Sequence, residues 1–278
     1  MPYRQTARDT GPPMIEHARY FRESHLPREL PHRHDELDSI AATLQPAVNG
    51  ETPDDILLSG PSGVGKTVVA RTAVDKLYES AGVRTAHIRC LGRSAGAVMH
   101  EAVAEHPRAH DRKLHQCTPV GEKAAALKAI ADNYLLVLDE ADDVHKTDLL
   151  DRLAEMDGVS YIAICHNPQE WIPSLSTPAS RRLHTHIEFE PYSVAALTEI
   201  LTQRATRGLV DDAVGTRTLE AIAERVDGVA RLGIRTLFQA AQLAAEQHRD
   251  RIQREDIPPA LSRARAAVRE PAKTVIRL

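Results

Sequence analysis

Aromatic side chains are scarce in this chain, at 4% of its 278 residues, so alanine, valine, isoleucine and leucine must build most of the core. The same scarcity argues against a nucleic-acid surface made of stacking rings. Three cysteines, Cys90, Cys117 and Cys165, stand far apart with no CxxC pair. They point to neither a zinc site nor a disulfide framework, and they suit a reducing cytoplasm. No apolar run approaches the ~20 residues that cross a bilayer. The opening Met-Pro-Tyr-Arg-Gln-Thr has no apolar stretch of the signal-peptide kind. The expectation is a soluble cytoplasmic protein that avoids membranes. An excess of positive charge is also missing: the net charge is −4 and the pI about 6.4. Any DNA contact must therefore be local. Residues 251–278 carry seven Arg or Lys against three acids, which reads as a solvated helix face ahead of a DNA contact.

What is present falls into two blocks. Residues 1–24 are polar and broken by Gly11-Pro12-Pro13, and read as a mobile arm. Leu37, Ile40, Leu44 and Val48 recur at helical spacing, and Gly50 closes that helix. Short apolar runs at 55–59, 83–90, 134–138, 160–165 and 184–189 read as strands, with helical segments between them. From Pro191 to about Ala267 the pattern is helical only. The fold class expected is α/β: a parallel sheet covered by helices on both faces over 25–190, a small all-helical lid over 191–268, and a basic tail over 269–278.

Gly60-Pro61-Ser62-Gly63-Val64-Gly65-Lys66-Thr67 matches G-x-x-x-x-G-K-[ST] at every defined position. Glycines there let backbone N–H groups turn inward around phosphates, where side chains would block them. Lys66 would meet the outer phosphates and Thr67 would offer its hydroxyl to Mg²⁺. Only seven lysines occur against 28 arginines, so composition does not predict a lysine at this spot. The run Leu135-Leu-Val-Leu138 ends in Asp139-Glu140. Asp139 fits a Mg²⁺ ligand and Glu140 the base that deprotonates the attacking water; alone, the pair could equally open a helix. Asn167 tips the next apolar strand, where its amide could hold the terminal phosphate and the attacking water. Asn before Pro168 is also an ordinary turn residue. The histidine pairs 32/34 and 184/186 lack a further ligand and read as surface polar residues.

This order of loop, Asp-Glu strand, Asn-tipped strand, Arg181-Arg182 and helical block resembles the AAA+ ATPases. Within them it is most similar to archaeal replication initiators of the origin-recognition-complex and cell-division-control type. Leu26-Pro-Arg-Glu-Leu-Pro-His-Arg33, Leu138-Asp-Glu-Ala-Asp142 and Gly228-Val-Ala-Arg231 carry that likeness, which spans about residues 25–268. The resemblance implies that Arg231, with Arg235 as the alternative, is a lid arginine reaching the nucleotide. It implies that Arg181 or Arg182 is a finger toward a neighbouring subunit, against a plain solvent-facing loop. ATP or ADP with Mg²⁺ would be the cofactors. Partners would be duplex DNA, other initiator subunits or a replicative helicase.

Departures accompany the likeness. Arg89 stands where many relatives have a polar amide near the catalytic glutamate. Pro178 falls near the place where initiators show an arginine. A winged helix usually follows in these initiators, and the sequence ends at Leu278, about where it would begin, so weak DNA binding is expected. Three readings follow: a slowly hydrolysing ATPase switch acting at replication origins; a non-catalytic nucleotide-holding partner of an initiator; and a target-selecting ATPase of a mobile element.

Overall fold

The computed structural model describes residues 14–27, 29–109, 114–144 and 148–269. They form two compact units. One spans Arg28–Glu190, and the other joins the described residues before Arg28 to those from Pro191 onward.

The first unit is built on five parallel strands, β1 (Asp55–Ser59), β2 (Arg84–Arg89), β3 (Tyr134–Asp139), β4 (Val159–Ile164) and β5 (Leu183–Glu188), in the order β2-β3-β4-β1-β5. Helices α1 (His34–Val48) and α2 (Lys66–Ala81) precede β2; α3 (Ala95–Ala104) and α4 (Val120–Ile130) precede β3. Then come α5 (Asp148–Ala154), and α6 (Pro168–Trp171) with α7 (Thr177–Arg182) before β5.

Both faces of the sheet are buried, which is why its inner strands are continuous apolar runs. Side chains alternate across it: Leu135 and Val137 pack with α1 and α2, while Tyr134, Leu136 and Leu138 pack with α3, α4 and α5. The edge strand β5 alternates between half-buried and exposed positions instead. His186 on it bonds Ser59 Oγ at 2.7 Å. Among the described residues no helix is long and apolar enough to cross a membrane.

The second unit holds α8 (Val194–Gly208), α9 (Thr216–Ala223), α10 (Ala230–Glu246) and α11 (Ile257–Arg269) around Leu197, Leu201, Leu219, Ile222 and Leu237. Gly228 enters α10 at φ +72°, where a Cβ would lie 2.4 Å from the Tyr192 carbonyl oxygen. Only glycine permits that approach.

One sequence expectation is corrected here. Residues 14–24 are docked rather than loose. Met14 and Phe21 are buried in the helical core, Ile15 bridges Leu209, and the Glu16 and His17 amides donate to the Gly208 carbonyl. A Cβ on Gly208 would sit 2.4 Å from the Phe21 ring, so the glycine makes room for that anchor. The core unit accordingly begins at Arg28, not at 25. Residues 1–13 of the expected arm and 270–278 of the expected tail lie outside the described residues.

Candidate nucleotide site

Strand β1 delivers the glycine loop to the carboxyl edge of the sheet. Gly60, Gly63 and Gly65 take φ of 130°, 82° and 105°, the left-handed region that side chains resist. Gly60 is also pressed on Phe189: a Cβ there would lie 2.3 Å from the Phe189 carbonyl oxygen. Val64 is fully buried and pins the loop, while Pro61 and Ser62 at its crest are exposed. Lys66 is 4% exposed, and its Nζ donates to the carbonyls of Gly60 at 2.5 Å and Pro61 at 2.8 Å. The loop thus wraps its own ammonium at the N-terminus of α2, where backbone N–H groups also favour an anion.

Thr67 Oγ1 donates to Asp139 Oδ1 at 3.2 Å, joining loop and β3. His87 Nε2 lies 3.6 Å from the other Asp139 oxygen. Burial, opposed by Asp139, lowers the His87 imidazole below its ordinary value. Among the described residues no three metal-ligating side chains cluster. A cation held by Thr67 and Asp139 would take its remaining ligands from phosphate and water oxygens. That is the manner of Mg²⁺ rather than of a protein cage. The glycine cradle, the buried lysine and this hydroxyl–carboxylate pair fit a nucleotide with its magnesium.

Glu140 follows in the left-handed region, φ 59° and ψ 47°, a conformation non-glycine residues hold only where their surroundings impose it. Its Oε2 pairs with Arg89 Nε at 2.9 Å. Strand β4 runs between β3 and β1, so Asn167 at its tip lies between the carboxylates and the loop. Asn167 is exposed, and its backbone N–H donates to Asp142 Oδ2 at 3.3 Å, beside His166 N at 2.8 Å. Burial of Asp142 is outweighed by the His166 side chain and then by these backbone bonds, which together hold its carboxyl down at about 2. Asp142 thereby ties the turn after β3 to the tip of β4.

Arg182 does not stand with these residues. Its Nε pairs with Asp55 Oδ2 at 2.8 Å, and its Nη atoms donate to the carbonyls of Leu153, Met156 and Val159 and to Asp55 Oδ1. A guanidinium bound on every nitrogen at the amino edge of the sheet cannot extend to another subunit, so the finger reading of Arg182 is corrected. Arg181 is exposed. In the helical unit, Arg231 opens α10 with its side chain 40% exposed, and its Nε lies 3.6 Å from Glu23 Oε1. Arg235, the alternative, pairs with the same carboxylate.

Three contributors were not picked out from sequence: His87, Asp142 as a tether, and Arg33. Arg33 is 5% exposed and donates to the carbonyls of Val64 at 3.1 Å and Glu190 at 2.7 Å, clamping the loop from behind. Its position ending a proline-punctuated segment was the available signal. Burial pushes the Cys90 and Cys165 thiols up to about 12, leaving them inert packing groups.

Comparison with known proteins agrees with this geometry. The AAA ATPase domain family matches residues 29–164, and the Cdc6 AAA+ ATPase-type lid domain matches 198–262. ORC1-type DNA replication protein 1 of Halobacterium salinarum is 30% identical over 263 residues, 92% of this chain and 85% of that one. The ORC1-type DNA replication protein of Thermococcus kodakarensis is 29% identical over 260 residues, 82% of this chain and 60% of that one. Among solved structures, Cdc6p from Pyrobaculum aerophilum superposes with a TM-score of 0.80 at 22% identity, covering 93% of this chain and 75% of its own. The Aeropyrum pernix ORC1 protein in complex with DNA gives 0.76 at 26%, covering 93% and 71%.

Proposed function

The chain belongs to the ORC1-type DNA replication proteins, which are AAA+ ATPases, and from that premise we propose that it is an ATP-operated switch acting on duplex DNA at replication origins. The observation that carries this reading is the junction of loop and carboxylate: a buried Lys66 wrapped by Gly60 and Pro61, with Thr67 bonded to Asp139.

ATP with Mg²⁺ supplies the phosphoanhydride to be cleaved and a cation that gathers charge at the outer phosphates. The chain does the rest. The backbone N–H groups of 60–67 and the Lys66 ammonium bind and orient the triphosphate. Thr67 and Asp139 hold the cation. Glu140 takes the proton of the attacking water at its carboxylate. Asn167 orients that water and the terminal phosphate from the β4 tip, where Asp142 fixes the backbone. Arg231, in the first turn of α10, is the arginine assigned to sense the nucleotide. A trans-acting arginine, where subunits assemble, falls to the exposed Arg181. The relatives named are archaeal, and a switch at chromosomal origins of such a cell works in its cytoplasm.

A second reading, a nucleotide-holding partner of another initiator with little turnover, is favoured by one observation: Arg89 engages the base Glu140. Calorimetric titration with ATP–Mg²⁺ tests the site itself. Wild type should bind and Lys66→Ala should lose most of the affinity; equal affinities would refute the assignment.

A further inference from the structure

Positive charge collects around Tyr20 in the helical unit. Arg204, on α8, donates from Nη1 to the Tyr20 carbonyl at 2.9 Å. Arg207 follows three residues later on the same helix, one turn away. The Arg19 guanidinium lies over the Tyr20 ring, 5.0 Å from its centroid, and the His25 ring meets the same ring edge-on at 4.9 Å. His17 stands 6.2 Å from it. Burial lowers the His25 imidazole, and the charges that act with it are Arg204, Arg207 and Arg19, all positive. Burial and Arg207 likewise lower Arg204.

Some arginines of this unit find carboxylates, Arg231 and Arg235 sharing Glu23 and Arg249 pairing with Asp256, while others such as Arg225 bond only carbonyls. Among the described residues, Arg19, Arg204 and Arg207 have no such ion pair. Adjacent like charges repel, and a polyanion brought alongside removes that penalty while releasing its own counterions.

We propose that Arg19, Arg204 and Arg207, gathered around Tyr20, form a phosphate-binding patch for the backbone of duplex DNA. This rests on the reading of the chain as a replication initiator. The Tyr20 ring is already engaged by Arg19 and His25, so the patch is assigned to its arginines and not to base stacking. Recognition is left to phosphates, which a duplex presents at one charge per ~1.7 Å of axis. The contact carries no base reading and should be indifferent to sequence.

The test is fluorescence anisotropy with a labelled duplex across a salt series, using wild type and Arg19→Ala/Arg207→Ala. Both residues are exposed, and Arg204 is retained so that its bond to the Tyr20 carbonyl keeps the segment docked. The double variant should bind at least about tenfold more weakly at low salt. Its log K against log salt should flatten by about 2, roughly one unit per lost phosphate contact. ATP affinity, measured in parallel, should not change. Unchanged affinity and slope in the variant would overturn the patch while leaving DNA binding in place. Weaker binding at an unchanged slope would also overturn it. A wild type that binds no duplex at low salt would overturn both the patch and the DNA reading, and a preference for single strands lost in Tyr20→Ala would replace the patch with a stacking site.

Discussion

Arg182 and Asp55 form a buried ion pair, Nε to Oδ2 at 2.8 Å, at the end of β1 opposite the phosphate loop. Asp55 is wholly buried and also accepts from the Tyr161 amide at 3.0 Å. The pair fastens the starts of β1 and β4 to the residues leading into β5. Removing one partner of a buried pair leaves the other without its bonds, which typically costs about 3–5 kcal/mol. Arg182→Ala should therefore lower unfolding stability by that order in denaturant titrations, while Arg181→Ala should change it by less than about 0.5 kcal/mol. The double variant Asp55→Asn/Arg182→Met should recover part of the loss. A stable Arg182→Ala protein that had lost only turnover would restore the finger reading.

Asp55 also sets a pH signature. Burial, partly offset by Arg182, raises its carboxyl to about 7. Between about pH 4 and 7 the folded state then binds more protons than the unfolded one. The contribution of Asp55 is thus fully present below the unfolded value and is lost as pH rises toward 7. Denaturation midpoints from pH 5 to 8 should show a decline in wild type that is flatter in Asp55→Asn. Parallel curves would show that Asp55 does not titrate in this window.

Arg89 offers a gain-of-function test. Its bond to Glu140 occupies a carboxylate oxygen needed by the attacking water. Arg89→Ala should leave ATP affinity unchanged and raise steady-state phosphate release by up to about tenfold, or about 1.4 kcal/mol of barrier. A fall in turnover would make Arg89 an aid to Glu140 rather than a restraint.

The strands and the loop were legible because burial on both sheet faces leaves an unmistakable trace: Leu57-Leu58, Leu135 to Leu138 and Tyr161 to Ile164 are unbroken apolar runs. Glycines at positive φ beside a lysine leave another. Arg182 was not legible, since two adjacent arginines look like surface and the partner Asp55 lies 127 positions away. The N-terminal docking was hidden for a related reason. Met14, Ile15 and Phe21 are too few and unevenly spaced to show a period, and their receiving site is made by Gly208 and Phe238 far along the chain. Arg33 and His87 act through a carbonyl and a carboxylate that only the folded sheet brings near.

The central claim is that Glu140 serves as the base of an ATPase whose nucleotide is held by Lys66, Thr67 and Asp139. Its most direct test is steady-state phosphate release by wild type and Glu140→Gln, with ATP affinity measured on both. The amide keeps the shape of the side chain and cannot take a proton. The account predicts retained ATP binding and a loss of turnover of at least about a hundredfold. Equal rates of phosphate release in the two proteins would contradict it.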